Sequence, residues 1–124
     1  MSDSIVAKKS YSFALLVIKL YKHLQTDQRE FVLAKQVLRS GTSIGANVEE
    51  ALGTQTKADF RHKLAIALKE ANETSYWLRL LKDSDMISAS SFSSIHSECE
   101  ELIKILKSII ITSKSKEEKP TRDS

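Results

Sequence analysis

The chain is almost free of the residues that interrupt regular secondary structure. It has only three glycines and one proline among 124 residues, and the proline is Pro120, close to the C-terminal end. A β-sandwich or barrel needs a turn after nearly every short strand, and turns draw heavily on Gly and Pro. The scarcity of both therefore predicts a few long helices joined by short connections, within a single domain because the length is that of one domain.

Composition narrows the class of protein further. Hydrophobic residues make up 41% and charged residues 28% of the chain, which is typical of a soluble globular protein rather than a disordered one. The lone cysteine, Cys99, has no partner for an internal disulfide, and no secretory leader is recognisable. The richest apolar stretch, residues 13–18, ends at Lys19, too short to span a membrane. We expect a soluble protein of the reducing cytoplasm.

Apolar residues recur at steps of three and four along four segments, as expected for amphipathic helices. The first covers roughly residues 8–24, and the fourth follows a serine cluster at 88–94. This pattern predicts an all-α fold, an antiparallel up-down-up-down four-helix bundle over residues 1–113, with a disordered charged tail over 114–124. The first and third segments carry extra apolar strips, and these predict self-association.

Two residue pairs have the spacing of a capping box, in which side chains accept from backbone N–H groups left free at a helix start. Asp27 with Glu30 predicts the start of the second helix. Thr56 with Asp59 predicts the start of the third, which runs from about residue 57 to 82.

Gly41 and Gly45 lie on the apolar seam of the second helix. Each costs about 0.8 to 1 kcal/mol of helix propensity relative to Ala, so a glycine there needs a reason. One hypothesis is close approach of another backbone near the middle of the helix, and the other is a kink or break between the two glycines. We expect Gly53 to end this helix.

Residues 41–45 also spell G-x-S-x-G, the pattern of a hydrolase nucleophile elbow. That motif needs a strand before it, and the periodicity here is helical, so Ser43 is interpreted as an ordinary helix residue. Di-metal sites in bundles use Glu-x-x-His pairs, and only His62 has an acid three residues before it, Asp59, which is already a predicted cap. The sequence therefore predicts no catalytic residue, metal, cofactor or small-molecule substrate.

Charge is segregated along the chain. The first segment contains lysines and no acid, the third is also basic, and residues 83–113 are acidic. One interpretation is a basic surface that binds the phosphates of RNA or DNA without reading bases. The candidate contacts are Lys19, Lys22, Arg39, Lys57, Arg61, Lys63 and Arg79. The alternatives are a solvated face, or a scaffold in which these cations pair with Glu98, Glu100 and Glu101 of neighbouring copies.

Two separated motifs carry a resemblance to a known family. They are R-S-G-T-S-I-G-A-N-V-E-E-A at 39–51, and D-F at 59–60 followed by K-L, I-A-L-K-E-A, E-T and Y-W-L up to residue 78. Together they resemble the bacterial four-helix-bundle proteins encoded in intervening sequences of 23S ribosomal RNA genes. Arg61 departs from the family, which often has an aliphatic residue at that position.

This resemblance implies an antiparallel bundle that assembles as a homopentamer. The family is also similar to the accessory proteins of diversity-generating retroelements, which form five-fold barrels with a basic surface and bind nucleic acid and a reverse transcriptase. The resemblance brings no catalytic residues with it. It therefore agrees with the self-association predicted from the extra apolar strips and with the interpretation of a basic surface that binds nucleic acid.

Overall fold

The structure, a computed structural model, describes residues 2–118 and contains four helices and no strand within that range. They are α1 (Ser2–Thr26), α2 (Val32–Leu52), α3 (Lys57–Asp83) and α4 (Ala89–Glu118). Each helix contacts two others, in the cycle α1–α2–α3–α4–α1, and the diagonal pairs α1–α3 and α2–α4 do not approach. The predicted all-α four-helix bundle is confirmed.

The start of α3 is as predicted, because the Thr56 hydroxyl accepts a hydrogen bond from the Asp59 N–H at 3.0 Å. The predicted cap at Asp27 is wrong. Asp27 instead lies just past the end of α1 and donates its N–H to the His23 carbonyl at 2.9 Å. The chain then reverses through Arg29, whose φ is 54°, and α2 begins five residues later than its predicted cap, where Glu30 accepts from the Leu33 N–H.

The outer helices are longer than the apolar pattern indicated. α1 begins at Ser2, and α4 is preceded by Ser88, whose hydroxyl accepts from the Ser91 N–H at 3.1 Å. α4 continues to Glu118, past the predicted boundary at 113, because no Gly or Pro interrupts the chain before Pro120. Residues 119–124 of the predicted tail lie outside the described range, and the division into bundle and tail stays a prediction.

The core lies along the bundle axis and is contributed by all four helices. Its largest fully buried side chains include Phe13, Leu24, Ile44, Leu64, Leu78, Leu81, Leu102 and Leu106. Two polar contacts cross it without leaving a buried group unpaired: Thr74 donates to the Ser40 hydroxyl at 2.8 Å, and the Cys99 thiol donates to the Ala71 carbonyl at 3.3 Å. Satisfied groups of this kind avoid the cost of burying polar atoms alone.

The two glycines of α2 lie where α1 packs against it. A Cβ added at Gly41 would lie 2.7 and 2.8 Å from the two methyl groups of Val17, and one at Gly45 would lie 3.4 Å from the Ser10 carbonyl oxygen. α2 runs unbroken through both positions, so close approach, rather than a break, explains them. Gly41 faces a side chain and Gly45 faces backbone. Gly53 is the C-cap of α2, as expected.

We predict that Gly41→Ala lowers the free energy of unfolding by about 1 to 3 kcal/mol, because the new methyl overlaps a β-branched side chain that has little rotamer freedom. Gly45→Ala, with only an ordinary contact to meet, should be neutral or raise it by up to about 1 kcal/mol through helix propensity. Urea unfolding followed by circular dichroism measures both. In a Val17→Ala background the Gly41→Ala cost should shrink, and an unchanged cost would contradict the packing explanation.

Candidate nucleic-acid and subunit interfaces

Arg39 joins α2 to α3 through two carboxylates. Its guanidinium donates to Glu70 Oε1 at 3.2 Å and also to Glu73 Oε1. Glu73 Oε1 accepts a further hydrogen bond from the Trp77 indole N–H at 3.1 Å. Both carboxylates are largely covered, with side-chain exposures of 13% for Glu70 and 29% for Glu73. The two acidic residues in the middle of α3 are therefore turned toward α2.

This arrangement leaves the exposed side of α3 without an acid between residues 62 and 79. Its exposed residues from 62 to 79 follow steps of three and four, as a single line on a helix must. We call this line the α3 stripe; it consists of His62, Ala65, Lys69, Asn72, Tyr76 and Arg79. Asp83 follows at the last residue of the helix. The α3 stripe is an exposed surface whose only full charges are positive.

Tyr76 is the one aromatic residue of the α3 stripe and remains 47% exposed. Its ring contacts Trp77 edge to face, with centroids 5.2 Å apart and planes at 63°. The Arg79 guanidinium carbon lies 5.7 Å from the Tyr76 centroid, within the range of a cation–π contact. Two neighbours thus hold the ring while nearly half of the residue stays accessible.

The seven predicted basic contacts do not come together on one face. Arg39 binds Glu70 and Glu73, and Lys63 binds Glu50 on α2 at 2.8 Å. The rest lie apart: Lys57 and half-buried Arg61 near the start of α3, Arg79 near its end, and Lys19 and Lys22 on α1. Because α1 does not approach α3, these form separate groups. Lys69 is exposed on the α3 stripe but was not among the predicted contacts; the sequence signal for its place there is its helical spacing with Tyr76 and Arg79.

α1 presents exposed apolar side chains to solvent. They are Ile5, Tyr11, Leu15 and Leu16, with exposures between 40% and 66%, and we call this set the α1 face. Of the apolar strip predicted here, Leu15 is exposed, whereas Ile18 and Tyr21 are half-buried. The strip predicted on α3 (Ile66, Trp77 and Leu80) is half-buried throughout. The larger unpartnered apolar surface is therefore on α1.

The side of α1 that faces α4 carries a groove and an ion pair. Lys9 donates to Glu101 Oε1 of α4 at 3.0 Å, and this hydrogen bond raises the pKa of the lysine. Farther along, an open groove of about 1060 Å³ lies between the end of α1 and the start of α4, with Leu16, Lys19 and Lys82 among its lining residues. Leu16 lines this groove and is also part of the α1 face, so the groove and the α1 face form one continuous surface.

The G-x-S-x-G motif has no catalytic geometry. Ser43 lies in the middle of α2, and its hydroxyl donates to the Ser40 carbonyl at 3.0 Å. A nucleophile elbow needs a strand followed by a sharp turn, and residues 41–45 are continuous helix. Within residues 2–118 no group of three His, Cys, Asp or Glu side chains could hold a metal ion. In the same range no helix has the length and hydropathy to cross a membrane.

A serine–histidine contact, which the sequence did not reveal, joins α3 to α4. The Ser75 hydroxyl lies 2.9 Å from His96 Nε2, and Phe92 stacks on the imidazole with centroids 4.6 Å apart. Ser75 is 8% exposed, and its pairing with His96 spans 21 residues, so no local motif indicates it. The contact satisfies a buried hydroxyl between two packed helices.

Fold and surface together define an antiparallel four-helix-bundle protein with a basic outer stripe and an apolar outer face. The chain belongs to the 23S rRNA-intervening sequence protein family, whose model matches residues 2–108. It is also similar to a crystal structure, at 1.70 Å, of a protein of unknown function from the S23 ribosomal protein family of Bacteroides thetaiotaomicron. The two are 53% identical with a TM-score of 0.87, over 89% of this chain and 98% of that one. No curated protein matches. The family resemblance is confirmed.

We predict that Cys99 is inert in the folded protein. Its thiol is fully buried, and burial raises its pKa from 9.0 to about 12, with the charge of Glu100 as a smaller cause. At pH 8 the thiolate fraction should therefore be roughly 1000-fold lower than in the unfolded chain, in addition to steric protection. Alkylation by iodoacetamide, followed by mass spectrometry, should be slow in buffer and fast in guanidinium chloride. Equal rates would contradict the buried position.

Proposed function

We propose that this chain is a non-enzymatic, self-associating four-helix bundle of the bacterial cytoplasm that binds the phosphate backbone of RNA or DNA. The observation that carries the nucleic-acid part is the α3 stripe. Lys69 and Arg79 are exposed there, while the carboxylates of the same helix segment are held by Arg39. Exposed cations attract phosphates and release counterions on binding, without any requirement for base sequence.

Self-association is supported by the α1 face. Four large apolar side chains on one side of a single helix are more than isolated exposed residues, and such patches are typical of protein contacts. Lys8, Lys19 and Lys22 are exposed on the same helix, so an acidic surface of a second copy would complement it. The resemblance to the family favours five copies, which would require the α1 face to meet a different patch of its neighbour in a closed ring.

The two surfaces are compatible with each other. α1 and α3 are diagonal helices of the bundle, and their backbones do not approach each other. An oligomer in which the α1 face meets α2 or α4 of the neighbouring copy would therefore leave the α3 stripe of each copy accessible. Repetition of one stripe around a ring would multiply weak phosphate contacts into a stronger overall affinity.

The alternative is a scaffold in which acidic and basic surfaces of neighbouring copies pair and no nucleic acid binds. Glu98 is exposed on α4 and would be available to a neighbour. Against this, Glu101 is already bonded to Lys9, and Arg39 and Lys63 are bonded to acids of the same chain. Fewer charges than the sequence indicated are left for contacts between copies.

We predict that the protein binds structured RNA in filter-binding assays, and that affinity falls steeply between about 50 and 200 mM salt. Lys69→Ala and Arg79→Ala should each lower the salt slope by about 0.7 to 0.9, the share of one phosphate contact. Lys35→Ala removes an exposed cation on α2 and is the matched control, which should leave the slope unchanged. Absence of binding at low salt, or binding insensitive to salt, would contradict the nucleic-acid function.

We predict an oligomer by gel filtration with light scattering at micromolar concentration. Leu15→Glu should lower its mass, because a carboxylate buried in an apolar contact without a partner is costly. Ala65→Glu, at an exposed position on α3, is the control and should keep the mass. A monomeric wild-type chain would refute self-association. An oligomer that dissociates in high salt would favour the charge-paired scaffold, since salt screens exposed ion pairs and not apolar contacts.

A further inference from the structure

Tyr76 gives the α3 stripe an exposed aromatic ring, which phosphate binding does not need. An aromatic ring at the centre of a charged stripe, with 47% of its residue exposed, leaves apolar area in water. It lies one helical turn from Arg79 and two turns from Lys69, so cations flank it on both sides along the helix. An exposed aromatic between cations is the arrangement that proteins use to hold unpaired nucleotides.

The ring is held in place by a series of contacts that begins on another helix. Arg39 of α2 fixes Glu73, and Glu73 accepts the indole N–H of Trp77. Trp77 in turn contacts Tyr76 edge to face, and Arg79 lies against the same tyrosine. A ring fixed in this way loses little conformational freedom when something stacks on it, which favours binding.

Resting on the proposed binding of nucleic acid, we propose that the α3 stripe binds single-stranded RNA or DNA more tightly than duplex, with one unpaired base stacking on Tyr76 while Lys69 and Arg79 contact the flanking phosphates. The two cations are ten residues apart, about 15 Å along the helix, which suits a run of a few nucleotides. Stacking tolerates every base, since each has a π-face, so the site discriminates strandedness rather than sequence. In a duplex the bases already stack on one another and are out of reach of a surface tyrosine.

The test compares a short single-stranded oligonucleotide with a blunt duplex of the same length, titrated against the full chain at fixed salt. Tyr76→Leu keeps the apolar bulk and removes the ring, and it should weaken single-strand binding roughly 5- to 150-fold. It should leave duplex binding and the salt slope unchanged, because stacking releases no counterions. Tyr76→Phe is the matched control and should stay within about twofold of the wild type, because phenylalanine keeps the stacking ring.

Trp77 supplies a direct readout, because it is the only tryptophan of the chain and touches Tyr76. Single-stranded oligonucleotide should quench its fluorescence in the wild type and in Tyr76→Phe, and less in Tyr76→Leu. Circular dichroism and urea midpoints of the variants check that folding is intact. Light scattering checks that their mass is that of the wild type.

The outcomes separate this inference from the function on which it rests. If binding is salt-dependent but Tyr76→Leu binds as tightly as the wild type, stacking on Tyr76 is overturned and phosphate binding stands. The same holds if Tyr76→Leu weakens the binding of both oligonucleotides equally. A change of oligomeric mass in Tyr76→Leu would assign the ring to a contact between copies and also overturns it. No binding of either oligonucleotide at low salt refutes the proposed function itself.

Discussion

The close packing of α1 against α2 sets the arrangement of everything else in the bundle. At Gly41 the space that a Cβ would need is taken by the methyl groups of Val17, and at Gly45 the Ser10 backbone lies opposite. Because α1 is seated there, it lies diagonal to α3 and presents Tyr11 and Leu15 outward. The apolar face and the basic stripe therefore end up on different sides of the molecule.

The character of the α3 surface depends on a second contact, between Arg39 and two glutamates. Glu70 and Glu73 would make α3 a mixed helix if they pointed outward, and their contact with α2 removes them from its exposed side. The same contact places the Trp77 indole and, through it, the Tyr76 ring. One guanidinium thus links interhelical packing to the chemistry of the outer surface.

Sequence reasoning succeeded where the signal was local and failed where a partner was distant. The Thr56 cap was predictable because its acceptor and donor are three residues apart. The fold was predictable because the family motifs are characteristic of four-helix-bundle proteins. The same spacing at Asp27 was misleading, because its N–H bonds back to the His23 carbonyl just past the end of α1 and Arg29 turns the chain instead. Arg39 and Lys63 were predicted to contact phosphates, and no local pattern indicated that each is bonded to an acid on a neighbouring helix.

The sequence by itself determined that the chain is helical, how many helices it has, and that Gly41 and Gly45 belong to a packed seam, because periodicity, caps and missing turn residues act within a few positions. Only the tertiary structure decided which charges remain exposed. The Arg39 pairs join residues 31 and 34 positions apart, and Ser75 meets His96 across 21. Such contacts depend on how two helices are rotated against each other, and that rotation is fixed by the packing of the whole core.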